Sequence, residues 1–102
     1  MYSLKVADSA ENDLDSIISY IAENLHAPKA ASSFADQVYD CYDRLEENPY
    51  IFEECQNARL KKEGYRRAVI KNYIMLYKIH ERENTVIVHR FFHGGQDYVH
   101  LI

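Results

Sequence analysis

The sequence contains only two cysteines, Cys41 and Cys55. They are too few and too far apart for a disulfide framework or a zinc knuckle, which need several cysteines at short spacings. Neither cysteine has a neighbour that would activate its thiol, and no order of serine, histidine and aspartate residues indicates a nucleophilic triad. We therefore expect one buried thiol and one loop thiol, neither of them catalytic.

Long apolar runs are also missing. No stretch approaches the roughly 18 apolar residues that a membrane span requires. The N-terminal residues 1–8 lack the basic-then-apolar order of a signal peptide. These features predict a cytoplasmic protein that does not act at a membrane.

Repeats and low-complexity segments are absent too, and the composition is that of a folded chain. Apolar residues make up 47% and charged residues 27% of the 102 residues. Such a length supports one hydrophobic core but not two, and such a composition is far from that of disordered chains. We expect one domain, residues 1–102.

Charge is distributed unevenly along the chain, although its net value is only −4. Residues 1–57 carry three cationic and twelve acidic side chains, a net charge of −9, whereas residues 58–102 carry nine cationic and four acidic side chains, a net charge of +5. Such asymmetry indicates either a surface for a polyanion or an acidic partner, or two halves that attract each other across the fold.

The first half predicts one strand and two helices. Tyr2, Leu4 and Val6 alternate with less apolar residues, which is the period of a strand. Asp8-Ser-Ala-Glu11 has the form of a capping box before an amphipathic helix. The apolar stripe of this helix consists of Leu14, Ile17, Ile18, Ile21, Ala22 and Leu25.

A second helix follows, with Pro28 in its first turn, where a missing N–H costs nothing. Its apolar stripe consists of Ala31, Phe34, Val38, Cys41 and Leu45. The helix should end near Asn48-Pro49, because the residue before a proline is disfavoured in the helical conformation. The two helices form an antiparallel hairpin whose apolar stripes need a sheet to cover them.

The second half predicts that sheet. Residues 50–64 show poor periodicity and are interpreted as a surface loop with a short strand or turn near residues 59–62. Residues 65–70, 73–80 and 85–92 are rich in β-branched and aromatic residues and form a three-stranded meander. The turn at Lys71-Asn72 depends on the tolerance of Asn for positive φ. The fold class is α+β, with an N-terminal strand, a helical hairpin and a mainly antiparallel sheet of about four strands.

This order of elements resembles the RelE/ParE superfamily of bacterial type II toxins, and the resemblance covers nearly the whole chain. The stretches that carry it are Asp13-Leu-Asp-Ser-Ile17 with Tyr20-Ile21, Pro28-Lys-Ala-Ala31, Asn48-Pro49, Gly64-Tyr-Arg-Arg67, Asn72-Tyr-Ile-Met-Leu-Tyr-Lys78 and Arg90-Phe-Phe-His-Gly-Gly-Gln-Asp-Tyr98. The resemblance implies the toxin of a toxin–antitoxin, or plasmid stabilisation, system.

The superfamily has two branches with different targets. RelE-like members cleave mRNA on the ribosome with Arg, Lys, His and Tyr side chains, and they commonly carry an Arg where this chain has Ile74. ParE-like members inhibit DNA gyrase without an established catalytic centre, and the Arg90-x-x-His93-Gly94-x-x-Asp97 pattern resembles theirs. The resemblance therefore favours a gyrase inhibitor, with a ribosome-dependent mRNA endonuclease as the alternative. A non-toxic antitoxin-binding module is a second alternative.

The residues from His89 to Tyr98 hold the candidate site. Strand alternation places Val86, Val88, Arg90 and Phe92 on one face, and Ile87, His89, Phe91 and His93 on the other. Arg90 either contacts the target or pairs with a carboxylate such as Asp97. His93 is either a functional imidazole or the cap of a turn. His89 and His93 would lie roughly 13 Å apart along the strand, which is too far to share one metal ion.

The resemblance and these residues together predict the sites. The target-binding residues are Arg67, Arg90, His93, Asp97 and Tyr98, with a mobile tail from Gly94 to Ile102. If the protein were a nuclease, His93, Arg90, Arg67 and Tyr98 would be its catalytic groups. A helix of the cognate antitoxin is expected to lie along residues 9–48 and to contact Leu14, Ile18, Tyr20, Phe34 and Tyr42. The assembly is expected to be a homodimer or a hetero-oligomer with the antitoxin. The net negative charge of this chain favours a protein target over naked nucleic acid. We expect no cofactor and no metal.

Overall fold

The computed structural model describes residues 1–102, and its centre is a four-stranded sheet. The strands are β1 (Ser3–Val6), β2 (Tyr65–Ile70), β3 (Tyr73–His80) and β4 (Thr85–His93), in the spatial order β1-β4-β3-β2. β1 pairs parallel to β4, and the other pairs are antiparallel. The predicted α+β class is confirmed, and the predicted bounds of β2 and β3 are correct.

Helix α1 (Asp8–Ser19) begins where β1 leaves the sheet. The predicted capping box is wrong, because Ala7 occupies the cap position and no side chain caps the helix. Asp8 and Glu11 instead lie in the first turn, where their charges favour the positive end of the helix dipole. The Ala7 N–H donates to the carbonyl of Val88, so the chain stays bonded to β4 as it enters the helix.

A π-helical turn, Tyr20–Asn24, continues α1. The N–H of Leu25 donates to the carbonyl of Tyr20 at 3.1 Å, an i→i+5 bond. This wider turn rotates Leu25 out of the buried stripe, so the side chain is 54% exposed and its predicted burial is wrong. His26 then takes a φ of +51° and turns the chain towards α2.

Helix α2 (Pro28–Glu47) has the predicted start, and its predicted stripe is buried. The helix ends at Asn48, whose φ of −152° is extended as expected before Pro49. Together with α1 it covers one face of the sheet and forms the larger core, which includes Phe34, Met75 and Val88. No helix is both long and apolar enough to cross a membrane.

Residues 50–64 are mostly irregular and exposed, as predicted, but the short strand or turn predicted near residues 59–62 is a helix. Helix α3 (Ala58–Lys62) lies in this segment, and the side chain of Asn57 caps it by accepting from the N–H of Leu60. Leu60 and Cys55 are fully buried in a second core on the other face of the sheet. The sequence does not predict this helix, because five residues with one buried apolar side chain are too few to show a helical periodicity. Cys55 lies outside the regular helices and strands, as predicted for one of the two thiols, but it is buried.

The second core continues to the C-terminus. Helix α4 (Tyr98–Leu101) packs Tyr98, Val99 and the following Ile102 against it. The predicted mobile tail is thus in contact with the sheet. The turn between β2 and β3 also differs from its prediction, because Lys71, and not Asn72, has the positive φ, at +53°.

Candidate functional site

A β-bulge at His89 changes which side chains share a face of β4. Tyr77 pairs with Val88 and Leu76 with Arg90, so His89 has no partner in the ladder. An extra residue reverses the alternation beyond it. Phe91 therefore joins Val88 in the core under the helices, while Phe92 packs in the second core. Arg90 lies opposite Leu76, on the face of the second core, so the predicted faces are wrong from Arg90 onwards.

Arg90 is bound to Asp13 of α1 and not to Asp97. The Nε and Nη2 atoms of Arg90 donate to the two carboxylate oxygens of Asp13 at 2.6 and 3.2 Å. The same carboxylate accepts the N–H of Phe91 at 3.0 Å. β1 ends opposite Val88, so Asp13 occupies the edge of β4 that β1 leaves unpaired. This hydrogen bonding also raises the pKa of Arg90.

Arg67 and Tyr98 form a second group on the opposite side of the sheet from α1 and α2. Arg67 Nη1 donates to the Tyr98 hydroxyl at 3.1 Å, and its Nε lies 3.2 Å from a carboxylate oxygen of Glu53. The Tyr98 ring stacks on Phe92, with centroids 6.1 Å apart and planes at 26°. The guanidinium carbon of Arg90 lies 4.7 Å from the centroid of the same Phe92 ring. Tyr98 and Arg90 thus both contact the Phe92 ring, and Arg67 joins this group through its bond to Tyr98.

His93 is held by contacts around a tight turn. Its Nδ1 accepts the N–H of Gly95 at 3.1 Å, and its own N–H donates to the side-chain oxygen of Gln96 at 2.7 Å. The ring meets Tyr73 edge to face, with centroids 5.5 Å apart. Nδ1 is therefore engaged, and Nε2 is the ring nitrogen left for a ligand. The functional and the turn-capping interpretations of His93 are compatible.

Gly94 closes this turn against the hairpin of β2 and β3. Its N–H donates to the carbonyl of Asn72 at 2.7 Å, and a Cβ at this position would lie 3.1 Å from that oxygen. The close backbone approach explains why a glycine follows His93. Asp97 is not part of this group, because its carboxylate pairs with His100 in an exposed position.

A cleft of about 590 Å³ lies between the end of α1 and the end of β4. Arg90 and His93 line it together with residues that sequence analysis did not assign to a target site: Asp13, Ser16, Ile17, Tyr20, Leu25, Asn72, Tyr73, Phe91, Phe92 and Gln96. Its volume is within the usual range for small-ligand sites. Arg67 and Tyr98 do not line it, so the predicted target residues fall into two groups.

Comparison with known proteins places this arrangement in a family. Residues 4–98 match the family model of the ParE toxin of the type II toxin–antitoxin system, parDE. The chain belongs to the ParE toxin family. A comparison with curated proteins gives no match.

The toxin fold is shared with solved structures of related systems. A chain of the chromosomal ParDE TA system from P. aeruginosa has a TM-score of 0.71 at 18% identity, over 91% of this chain and 96% of that chain. The toxin–antitoxin complex RelBE2 from Mycobacterium tuberculosis gives 0.64 at 22% identity, over 90% and 96%. The archaeal RelE-RelB complex from Pyrococcus horikoshii OT3 gives 0.61 at 17% identity, over 93% and 97%. At these identities the likeness shows the fold.

Three of the five residues predicted to bind an antitoxin are core residues of this ParE-family chain. Leu14, Phe34 and Tyr42 are buried under the helices, so their side chains are not available as a surface. Ile18 is half-buried, and Tyr20 is 48% exposed. The three errors arise because an apolar stripe marks the core-facing side of a helix first. Tyr20 and Leu25 are the exposed apolar residues at this end of the helical hairpin.

The two cysteines of the ParE-family chain are buried, and His89 is half-buried. Burial raises the pKa of the Cys41 thiol to about 11 and also raises that of Cys55. Burial, with Lys78 and His80 as further causes, lowers the pKa of His89. No three side chains among the histidines, cysteines, aspartates and glutamates converge as metal ligands.

The site predicted from the sequence does not include Asp13, Tyr73, Asn72 or Gln96, which line the cleft. Asp13 lies 77 positions before Arg90, and a side chain on the polar face of an amphipathic helix resembles any other solvated carboxylate. A usable signal was its place in the Asp13-Leu-Asp-Ser-Ile17 stretch that carries the family resemblance. Asn72 and Gln96 look like ordinary turn residues, and only the hairpin register brings them to His93.

Proposed function

We propose that this ParE-family toxin inhibits DNA gyrase and is held inactive by a cognate antitoxin. The surface that acts on gyrase consists of Arg67, Tyr98 and the cleft with Arg90 and His93. Binding to such a target requires shape and charge complementarity, and it needs no bond to be broken by the toxin itself.

The observation that carries the proposal is the absence of a convergent set of free cations. An RNA-cleaving site must stabilise the negative charge that develops on the scissile phosphate. At the position where the mRNA-cleaving branch commonly has an Arg, Ile74 is buried in the second core beside Leu60 and Phe92. Arg90 already donates two hydrogen bonds to Asp13, and Arg67 is bound to Tyr98. This supports a binding surface over a catalytic centre.

One observation favours the alternative, a ribosome-dependent mRNA endonuclease. His93 has a fixed ring with an accessible Nε2, and it lines the same cleft as Arg90. An imidazole in this position is suited to general acid or base catalysis. The nuclease would need a second cation, which the ribosome would have to supply or Arg90 would have to release from Asp13.

The antitoxin is proposed to cover the hairpin of α1 and α2 at its exposed end. Tyr20 and Leu25 form an apolar rim there, and the solved relatives include toxin–antitoxin complexes. An amphipathic helix of the antitoxin could bury both side chains, as helix-in-groove complexes do. Extended residues of the antitoxin would then reach the basic half of the chain.

Expression in bacteria, with and without the neighbouring antitoxin gene, tests the proposal. Without the antitoxin we expect elongated cells and an induced DNA-damage response, while mRNA on translating ribosomes stays intact. With it, growth should be normal and a stoichiometric complex should co-purify. Translation arrest with cut mRNA would reject gyrase as the target. Harmless expression of the chain alone, at good solubility, would instead support a non-toxic antitoxin-binding module.

A further inference from the structure

The cleft between α1 and β4 combines open aromatic rings with polar groups. Tyr20 is 48% exposed, and His93, which also lines the cleft, is exposed as well. Tyr73 lines the same cleft and contacts His93 edge to face, and burial, with Tyr20 as a further cause, raises the pKa of Tyr73. Flat aromatic rings on several sides of a cleft favour a flat aromatic ligand.

The polar groups of the cleft have unused hydrogen-bonding capacity. Four residues that line the cleft have polar groups without a hydrogen bond inside the protein. These groups are the Ser16 hydroxyl, the Asn72 side-chain amide, the amide nitrogen of Gln96 and Nε2 of His93. They comprise both donors and acceptors. A ligand that fills the cleft must satisfy them in place of water.

Other ligand classes fit this lining less well. An isolated phosphate or carboxylate would need a free cation, and the guanidinium of Arg90 is already bound by both oxygens of Asp13. An aliphatic side chain would remove water from the polar groups without replacing its hydrogen bonds, which is unfavourable. A planar ring with donors and acceptors along its edge can stack and hydrogen-bond at once. Nucleobases have these properties.

We propose that this cleft binds one unstacked nucleobase of a nucleic-acid strand, with the ring against Tyr20 and His93 and its edge hydrogen-bonded to Asn72 and Gln96. The inference goes beyond gyrase inhibition, since base binding is a property of the free chain and stands whether the base comes from DNA or RNA. The volume of about 590 Å³ accommodates a base with its sugar.

The absence of tryptophan makes the test direct, because 2-aminopurine can be followed without a tryptophan background. The free toxin is titrated into DNA and RNA pentanucleotides that carry 2-aminopurine at the centre. Stacking on an aromatic ring should change the emission in a saturable way, and the tighter of the two pentanucleotides identifies the source of the base. An abasic pentanucleotide should not compete.

Variants locate the binding. Tyr20→Ala should weaken binding roughly 5- to 100-fold, as expected for the loss of one stacking ring, and Tyr20→Phe should restore it. Tyr39→Ala is the matched control, because Tyr39 is a tyrosine of α2 with 56% exposure outside the cleft. If Tyr20→Ala does not fold, shifts of the Gly94 and Gly95 amide signals in the wild-type chain report the same site.

Three results would overturn the inference. The first is a lack of saturable emission change with either pentanucleotide. The second is equal competition by the abasic strand, which would mean that only the phosphates bind. The third is an equal loss of binding in Tyr20→Ala and Tyr39→Ala. Gyrase inhibition without base binding would leave the proposed function intact and reject this inference alone.

Discussion

At the scale of single residues, Asp13 has a structural importance that its place on a polar helix face does not suggest. Its carboxylate holds the Arg90 side chain and the Phe91 N–H at the unpaired edge of β4. The Asp13 and Arg90 side chains are only 19% and 32% exposed, so water replaces these bonds poorly. The sequence pattern points to Arg90 as a site residue, but the partner of Arg90 depends on how β4 lies against α1.

The first prediction concerns this carboxylate. Asp13→Ala should lower the free energy of unfolding by about 2–3 kcal/mol, because it leaves a half-buried guanidinium and a backbone N–H without partners. Asp15→Ala, an exposed acidic residue on the same helix, is the control and should change stability by less than about 0.5 kcal/mol. Urea unfolding of the three proteins measures the difference, and equal stabilities would show that the Asp13 contacts contribute nothing.

His89, the residue of the bulge, couples stability to pH. Burial, Lys78 and His80 lower its pKa below the ordinary 6.5 in the folded chain. Lys78 itself lies over the Tyr65 ring, at 4.4 Å from its centroid. Between the folded and unfolded pKa values the unfolded chain binds more protons, so the free energy of unfolding falls as the pH falls.

The second prediction follows from this decrease in the free energy of unfolding at lower pH. The His89 contribution is fully present above its unfolded pKa and decreases as the pH drops through about 6.5, until the folded group is also protonated. His89→Gln should reduce the loss of stability between neutral and mildly acidic pH, and Lys78→Met should reduce it less. Urea midpoints across this pH range measure the effect. An unchanged pH dependence in His89→Gln would exclude His89 as its source.

At the scale of elements, the sheet was predictable and the short helices were not. β2 and β3 are rich in β-branched and aromatic residues between turn signals, and their bounds follow from that pattern alone. The π-helical turn Tyr20–Asn24 and helix α3 have no comparable signal, since each is five residues long. The bulge at His89 is also invisible in sequence, although it decides which of Phe91 and Phe92 faces which core.

Helix α4 shows what a short element contributes when it covers a face of the sheet. Tyr98, Val99 and Ile102 close the second core over Leu60 and Phe92. Arg59 also binds the carbonyl of Val99, which fixes α4 to α3. Loss of the C-terminal residues should therefore affect stability as well as target binding.

The third prediction separates these two effects. Truncation after Asp97 should lower the free energy of unfolding by about 2–4 kcal/mol, because it exposes apolar area of the second core. Tyr98→Phe keeps the stacking on Phe92 and loses only the bond from Arg67, so it should cost about 0.5–1.5 kcal/mol. Leu101→Ser, at an exposed position, is the control. A truncated chain as stable as the full chain would contradict the packing role of α4.

At the scale of the whole molecule, the opposite charges of the two halves meet within the fold. Four of the six ion pairs join the acidic half to the basic half: Asp13 with Arg90, Glu53 with Arg67, and Glu54 with Arg66 and Lys61. The interpretation that the halves attract each other is thereby supported. Because these four cations are paired with carboxylates, few cations remain to form an extended phosphate-binding surface.

The family and the fold could be predicted from the sequence because many short stretches occur in a fixed order along the chain. The site could be predicted only in part. Arg90 and His93 are three positions apart at the end of β4 and both line the cleft, whereas Asp13, Asn72 and Gln96 reach it from three other segments. The spatial separation of the cleft from the Arg67–Tyr98 group arises only when the sheet has folded.

Gyrase inhibition by a non-catalytic surface is tested most directly with purified components. Gyrase, supercoiled plasmid and ATP are incubated with the toxin, and linear DNA is measured after protease treatment, alongside an mRNA on translating ribosomes. We expect gyrase-dependent linear DNA and intact mRNA. A His93→Ala toxin should still give linear DNA, in a smaller amount, and should also leave the mRNA intact. Normal gyrase turnover together with codon-positioned mRNA cuts that vanish in His93→Ala would contradict the account and establish the ribosome-dependent nuclease.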